Sequence, residues 1–137
     1  MYKNLLLVGV LSSFLITGVN AAPRDDIMAQ FATLAKASDA SFIAFDAERG
    51  KNLFSTNFGK GKPETPACTS CHSSSPTNIG ETRAGKAIDP LAISKTPDRY
   101  SDPKKVEKWF RRNCKSVLGR ECTPVEKGDF ITYMISQ

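Results

Sequence analysis

The pentad Cys68-Thr69-Ser70-Cys71-His72 constrains this chain more than any other stretch. Cys-x-x-Cys-His is the attachment pattern of c-type haem. Its two thiols add across neighbouring vinyl groups, so their spacing must match two adjacent pyrrole edges. The histidine that follows is then placed under the iron as its proximal ligand. His72 is the only histidine in the sequence, so no second imidazole can bind the opposite face. A fold built on this pentad must wrap one flat apolar ring, and the open question is what stands on the other side of the iron.

The N-terminus points to export. One positive residue, Lys3, precedes an apolar run over residues 5–16, and Val19-Asn20-Ala21 forms a small-x-small cleavage site. This is the pattern of a signal peptide over residues 1–21. The run is too short for a spanning helix, which weighs against the alternative of a retained membrane anchor. A soluble domain over residues 22–137, monomeric and periplasmic, is expected. Of four cysteines, Cys68 and Cys71 belong to the pentad, and Cys114 and Cys122 remain as an even pair. In an oxidising compartment such a pair reads as a disulfide. The full chain carries a net charge of +5, but no aromatic-basic platform accompanies it, so nucleic acid is excluded and an acidic protein partner is preferred.

Periodicity predicts an all-α fold. Ile27, Met28, Phe31 and Leu34 mark an amphipathic helix over residues 25–37, with Met28 in the core. Ile43, Ala47, Gly50 and Phe54 share one face of a second helix over residues 41–57. Gly50 there either admits another helix closely or marks a break. Residues 73–102 are rich in turn formers, so they are expected to wrap the haem with little regular structure. Asp102-Pro103 is an N-cap with proline at the first helical position, and its helix is expected to end near Asn113 or Cys114. Thr123-Pro124-Val125-Glu126 is a capping box that opens a last helix to about residue 136.

Projected at about 100° per residue, the helix after Pro103 separates two faces. Lys104, Lys105, Lys108, Arg111, Arg112 and Lys115 lie on one, and Val106, Trp109, Phe110, Asn113 and Val117 on the other. A primary amide in an apolar arc is costly unless something satisfies it. A haem iron would do so, and so would capping of the helix end by Asn113 itself. Methionine is the more usual distal ligand, but Met134 shares an apolar face with Phe130, Ile131 and Ile135, which packing explains. Trp109 lies one turn before Asn113, where its indole N–H can reach a haem propionate. Arg83, Lys86 and Arg99 are further propionate candidates. The turn at Pro90 offers carbonyls to the His72 ring N–H. A zinc site on Cys68, Cys71, Cys114 and Cys122 is the alternative from another class, and the leader and the histidine beside Cys71 argue against it.

The run Lys105-Val106-Glu107-Lys108-Trp109-Phe110-Arg111-Arg112-Asn113-Cys114 carries a resemblance. So do Gly119-Arg120-Glu121-Cys122-Thr123, Glu126-Lys127-Gly128-Asp129, Asp89-Pro90-Leu91-Ala92 and Arg99-Tyr100-Ser101-Asp102. From residue 46 to the C-terminal end the chain resembles the SHP family, small exported monohaem cytochromes c with an asparagine distal ligand; residues 23–40 lie outside the match. The resemblance implies a class I cytochrome c fold and one covalent haem c. It implies His72 as proximal and Asn113 as distal iron ligand, with Cys114 and Cys122 as the family's disulfide. It also implies a dihaem cytochrome c as electron donor, sometimes with a membrane cytochrome b upstream. The expected function is to accept an electron and then bind a diatomic gas (oxygen, nitric oxide or carbon monoxide) at an iron whose upper face opens on reduction. An electron shuttle with a permanent ligand such as Met134 is the alternative.

Overall fold

Helix α1, Pro23–Ser38, and helix α5, Pro124–Ile135, pack against each other across the core. The computed structural model describes residues 23–137, so the leader expected at residues 1–21 lies outside the described residues. Among the described residues no helix is long and apolar enough to cross a membrane. Between α1 and α5 come α2, Ala47–Ser55, α3, Thr69–His72, the strands β1, Gly80–Glu81, and β2, Ala87–Ile88, and helix α4, Pro103–Leu118. Ile27 and Phe31 of α1, Val106 of α4 and Ile131 of α5 form one buried cluster. Edge-to-face contacts of Phe110 with Phe31, at 6.2 Å, and with Phe130, at 5.6 Å, tie the three helices together. Met28 packs against this cluster as expected, but Leu34 is 47% exposed and Ala35 is buried instead.

Helix α2 starts six residues later than the periodicity suggested. The Asp46 side chain accepts from the Arg49 N–H at 2.7 Å and caps the helix. The stretch before Asp46 is not helical, and Ile43, assigned to the buried face, is 95% exposed. Gly50 does not break α2: a Cβ there would lie 2.1 Å from the Asp129 carbonyl oxygen, so glycine lets α2 and α5 meet backbone to backbone. A latch closes this crossing. Buried Asp129 accepts from the Asp46 N–H at 2.7 Å and from Arg49 through Nε at 2.7 Å and Nη2 at 2.8 Å.

Helix α4 begins as predicted, with Asp102 accepting from the Lys105 N–H at 3.0 Å. It runs past Asn113 and Cys114 to Leu118 and stops at Gly119, whose φ of +72° terminates the helix in the left-handed region. Asn113 is therefore an interior residue of α4, and capping of the helix end is not its role. The capping box at α5 forms in full: Glu126 N–H donates to Thr123 Oγ1 at 3.2 Å, and Thr123 N–H to Glu126 Oε2 at 2.8 Å. Within the wrapping segment β1 and β2 make a minimal antiparallel hairpin, Gly80 opposite Ile88 and Glu81 opposite Ala87.

Candidate haem site

The pentad folds as a single helical turn. Cys68 stands at its N-cap with helical dihedrals, and its carbonyl accepts from the N–H groups of Cys71 at 3.3 Å and His72 at 3.1 Å. Ser73, at φ +64°, ends the turn directly after His72. The turn brings both thiols and the imidazole together on one short element. Cys68 and Cys71 are free and partly buried. Cys68 lies where two clusters meet: Phe54, Leu91, Tyr133 and Met134 form one, and Cys114, Val117, Leu118 and Cys122 the other. Burial pushes the Cys68 thiol up to about 11. Burial, and secondarily the Arg99 charge, hold the His72 imidazole down at about 4. It is therefore neutral at ordinary pH, the form a metal requires.

Residues 89–100 form a strap in which the Asp89, Pro90 and Leu91 carbonyls each accept from a side chain of the same segment. Asp89 oxygen accepts from Arg99 Nη2 at 2.6 Å. Pro90 oxygen accepts from Thr96 Oγ1 at 2.9 Å and Arg99 Nε at 2.5 Å, and Leu91 oxygen from the Tyr100 hydroxyl at 3.2 Å. Backbone bonds from Ala92 N–H to Pro76 oxygen, 2.9 Å, and from Ile93 N–H to Met134 oxygen, 3.1 Å, fasten the other edge. The turn at Pro90 was expected to offer carbonyls to the His72 ring. The two lone pairs of the Pro90 carbonyl are instead taken by Thr96 and Arg99. Arg99 gives its Nε and Nη2 to this strap, and Arg83 Nη1 pairs with Glu64 at 2.8 Å. Tyr100 holds the strap's sharp end at φ +60°, a backbone state that costs a non-glycine residue about 1–3 kcal/mol. Neither the strap bonds nor this conformation had a signal in residue type or periodicity.

Met134 is wholly buried beside Phe54, Leu91 and Tyr133. The outer face of α4 differs. Trp109 is 51% exposed, with Lys108 Nζ 5.6 Å and the Arg112 guanidinium 5.2 Å from its ring centroid. Asn113 is exposed, and its side chain has no hydrogen-bond partner among the described residues. The next residue, Cys114, is bonded to Cys122, with Cα atoms 5.6 Å apart. With that pair joined, a four-cysteine zinc site is ruled out. Among the described residues no three His, Cys, Asp or Glu side chains gather to hold a metal ion. Two free thiols and one neutral imidazole on a single turn fit a haem carried by covalent bonds, which brings its iron with it.

Comparison with known proteins agrees. Residues 40–134 match the family described as a domain of unknown function (DUF1924). Cytochrome c-type protein SHP of Cereibacter sphaeroides is 54% identical over 92 residues, 67% of this chain and 71% of that protein. Cytochrome c'' of Methylophilus methylotrophus is 32% identical over 114 residues, 82% of this chain and 79% of that protein. The solved structure of oxidised SHP, an oxygen-binding cytochrome c, superposes with a TM-score of 0.76 at 46% identity, covering 83% of this chain and 96% of that one. Oxidised cytochrome c'' from M. methylotrophus gives a TM-score of 0.71 at 31% identity, covering 84% of this chain and 94% of that one. The fold is the all-α cytochrome c fold, and the cofactor is one covalently attached haem c. The chain belongs to the SHP family of c-type cytochromes.

Proposed function

We propose that this protein accepts one electron and then takes a diatomic gas at the iron, with His72 as the permanent proximal ligand and Asn113 as a distal ligand released on reduction. The bound haem supplies an iron that cycles between ferric and ferrous states and has one exchangeable axial position. The observation that carries the reading is the Asn113 amide: it stands inside α4, not at its end, and spends its oxygen on no other group among the described residues. An amide oxygen is a hard, weak donor that suits ferric iron and holds ferrous iron poorly. Once released, the same amide can donate a hydrogen bond from its NH₂ to a polar diatomic. The SHP relative is an oxygen-binding cytochrome c, and a solution structure of the cytochrome c'' relative addresses haem-ligand detachment. The methionine alternative would have to draw Met134 from a fully buried site.

Lys104, Lys105, Lys108, Arg111, Arg112 and Lys115 are all exposed along α4. They offer an acidic redox protein, in this family a dihaem cytochrome c, a basic docking face. We place the protein in the periplasm as a monomer, after removal of residues 1–21. The Cys114–Cys122 bond suits that oxidising compartment.

Absorption spectra of the ferric protein, the ferrous protein and the ferrous protein under carbon monoxide test the reading. The expected outcome is a high-spin ferrous form that binds the gas, and an Asn113→Ala protein whose ferric spectrum becomes that of an open or water-bound iron. A ferrous low-spin spectrum indifferent to carbon monoxide, or an unchanged ferric spectrum in the variant, defeats it.

A further inference from the structure

Helix α1 lies outside the family match at residues 40–134, yet its first turn reaches into the strap. Arg24 donates to the Arg99 carbonyl through Nε at 3.1 Å and Nη2 at 2.9 Å, and Nη2 also donates to the Pro97 carbonyl. Both carbonyls sit just before Tyr100, where the backbone turns through φ +60°. A chain reversed by a non-glycine residue in the left-handed region persists only where its surroundings over-determine it. Arg24 supplies part of that determination. It anchors the Arg99 main chain, and the Arg99 side chain reaches back to the Asp89 and Pro90 carbonyls at 2.6 and 2.5 Å. The strap so held is fastened to Pro76, four residues after His72, by the Ala92 N–H. Pro76 is itself fully buried, so the connection is stiff.

We infer that Arg24 is a positioning residue for the proximal histidine. It acts through the Arg99 main chain and the strap at residues 89–93, and so couples the leading helix to the ligand side of the iron. The inference rests on His72 being that ligand. A guanidinium suits the task because its fixed fork of donors spans two neighbouring carbonyls, which an ammonium cannot do with the same rigidity. The Arg99 charge also bears on His72, as expected if the strap lies close to the imidazole.

The test uses the full haem-loaded protein and the variants Arg24→Ala and Arg24→Lys. Two readouts are taken: amide hydrogen exchange, and the iron–histidine stretching band of the ferrous protein in resonance Raman spectra. In Arg24→Ala the Ala92 and Ile93 amides exchange faster, on the order of tenfold, while amides of α2 and α5 keep their rates. The iron–histidine band shifts or broadens. Arg24→Lys, with its charge but a single donor point, falls between. Faster exchange confined to α1 overturns the inference, since Arg24 would then merely hold its own helix. Faster exchange in the strap with an unmoved band overturns it too, because the loosening would not reach His72. A wild-type ferrous protein without any iron–histidine band means that the iron keeps a sixth ligand or lacks His72, which defeats the proposed function, and the exchange data distinguish that failure from the others.

Discussion

The strap at residues 89–100 and the outer face of α4 are opposite solutions to the same problem of polar groups beside an apolar cofactor. In the strap the Asp89, Pro90 and Leu91 carbonyls are occupied by side chains of Thr96, Arg99 and Tyr100. On α4 the Asn113 amide has no partner among the described residues, and Trp109 is half exposed. A saturated backbone is rigid, because any displacement must break several bonds at once. An unpartnered amide on a helix can engage or leave a ligand without disturbing the fold. The strap is held by its own side chains, whereas no protein group holds the Asn113 amide among the described residues, and the proposed exchangeable axial position rests on that difference.

The largest effect is expected at a second saturated site, the α2–α5 crossing, whose polar groups are paired like those of the strap. Asp129 is 3% exposed and receives three hydrogen bonds at the α2–α5 crossing. Asp129→Ala leaves the Asp46 N–H and the Arg49 guanidinium without their acceptor. Removing one partner of a buried ion pair typically destabilises by about 3–5 kcal/mol. Because Arg49 is half exposed and can turn to water, a loss of about 3 kcal/mol is expected in denaturant unfolding. A loss below about 1 kcal/mol would show that the Gly50 contact alone holds the crossing.

A smaller effect comes from the loop between α4 and α5. The Arg120 guanidinium, bonded through Nη1 at 2.8 Å and Nη2 at 2.7 Å, holds the Glu126 carboxyl below its ordinary value of 4.5. A carboxylate with a lowered folded value stabilises the protein above the unfolded value, and that contribution disappears as pH falls through the folded one. Stability should therefore drop on acidification below about pH 4.5 by a screened amount of about 0.5 kcal/mol from this group. Glu126→Gln should remove that increment, which paired melts at neutral and acid pH will read. An identical acid slope in both proteins would assign the loss to other carboxylates.

How much of this was legible in the sequence depended on how local each feature is. The haem pentad, the Asp102 cap and the Thr123 capping box are each written in a few adjacent residues, and each forms where its residues stand. The start of α2 was misplaced because Ile43 continues a helical period by coincidence, whereas the Asp46 cap sets the true start. Helix α4 was expected to end near Asn113 or Cys114, yet Cys114 bonds from within it and Gly119 supplies the stop. The strap was illegible: its bonds join Arg24 to Arg99 and Arg99 to Asp89, side chains to main-chain carbonyls, and such pairing leaves no residue-type pattern. Asn113 came from the resemblance more than from periodicity. An amide on an apolar arc has several explanations, and the helix had to be seen passing through it before capping could be set aside.

The free side yields the smallest change in stability and the sharpest separation of the two readings. If Asn113 leaves the iron on reduction, its side chain contributes little to the ferrous fold, since it is exposed and bonds to nothing else among the described residues. Surface substitutions of that kind fall within about 0.5 kcal/mol of the parent. Asn113→Ala should therefore unfold like the wild type in the ferrous state and less stably than it in the ferric state, where an axial bond is lost. Denaturant unfolding of both proteins in both redox states measures the four values. A variant as stable as the wild type in the ferric state too would deny Asn113 any bond to the iron. One destabilised equally in both states would mean that the amide never leaves, and the two faces of the site would then be alike in rigidity.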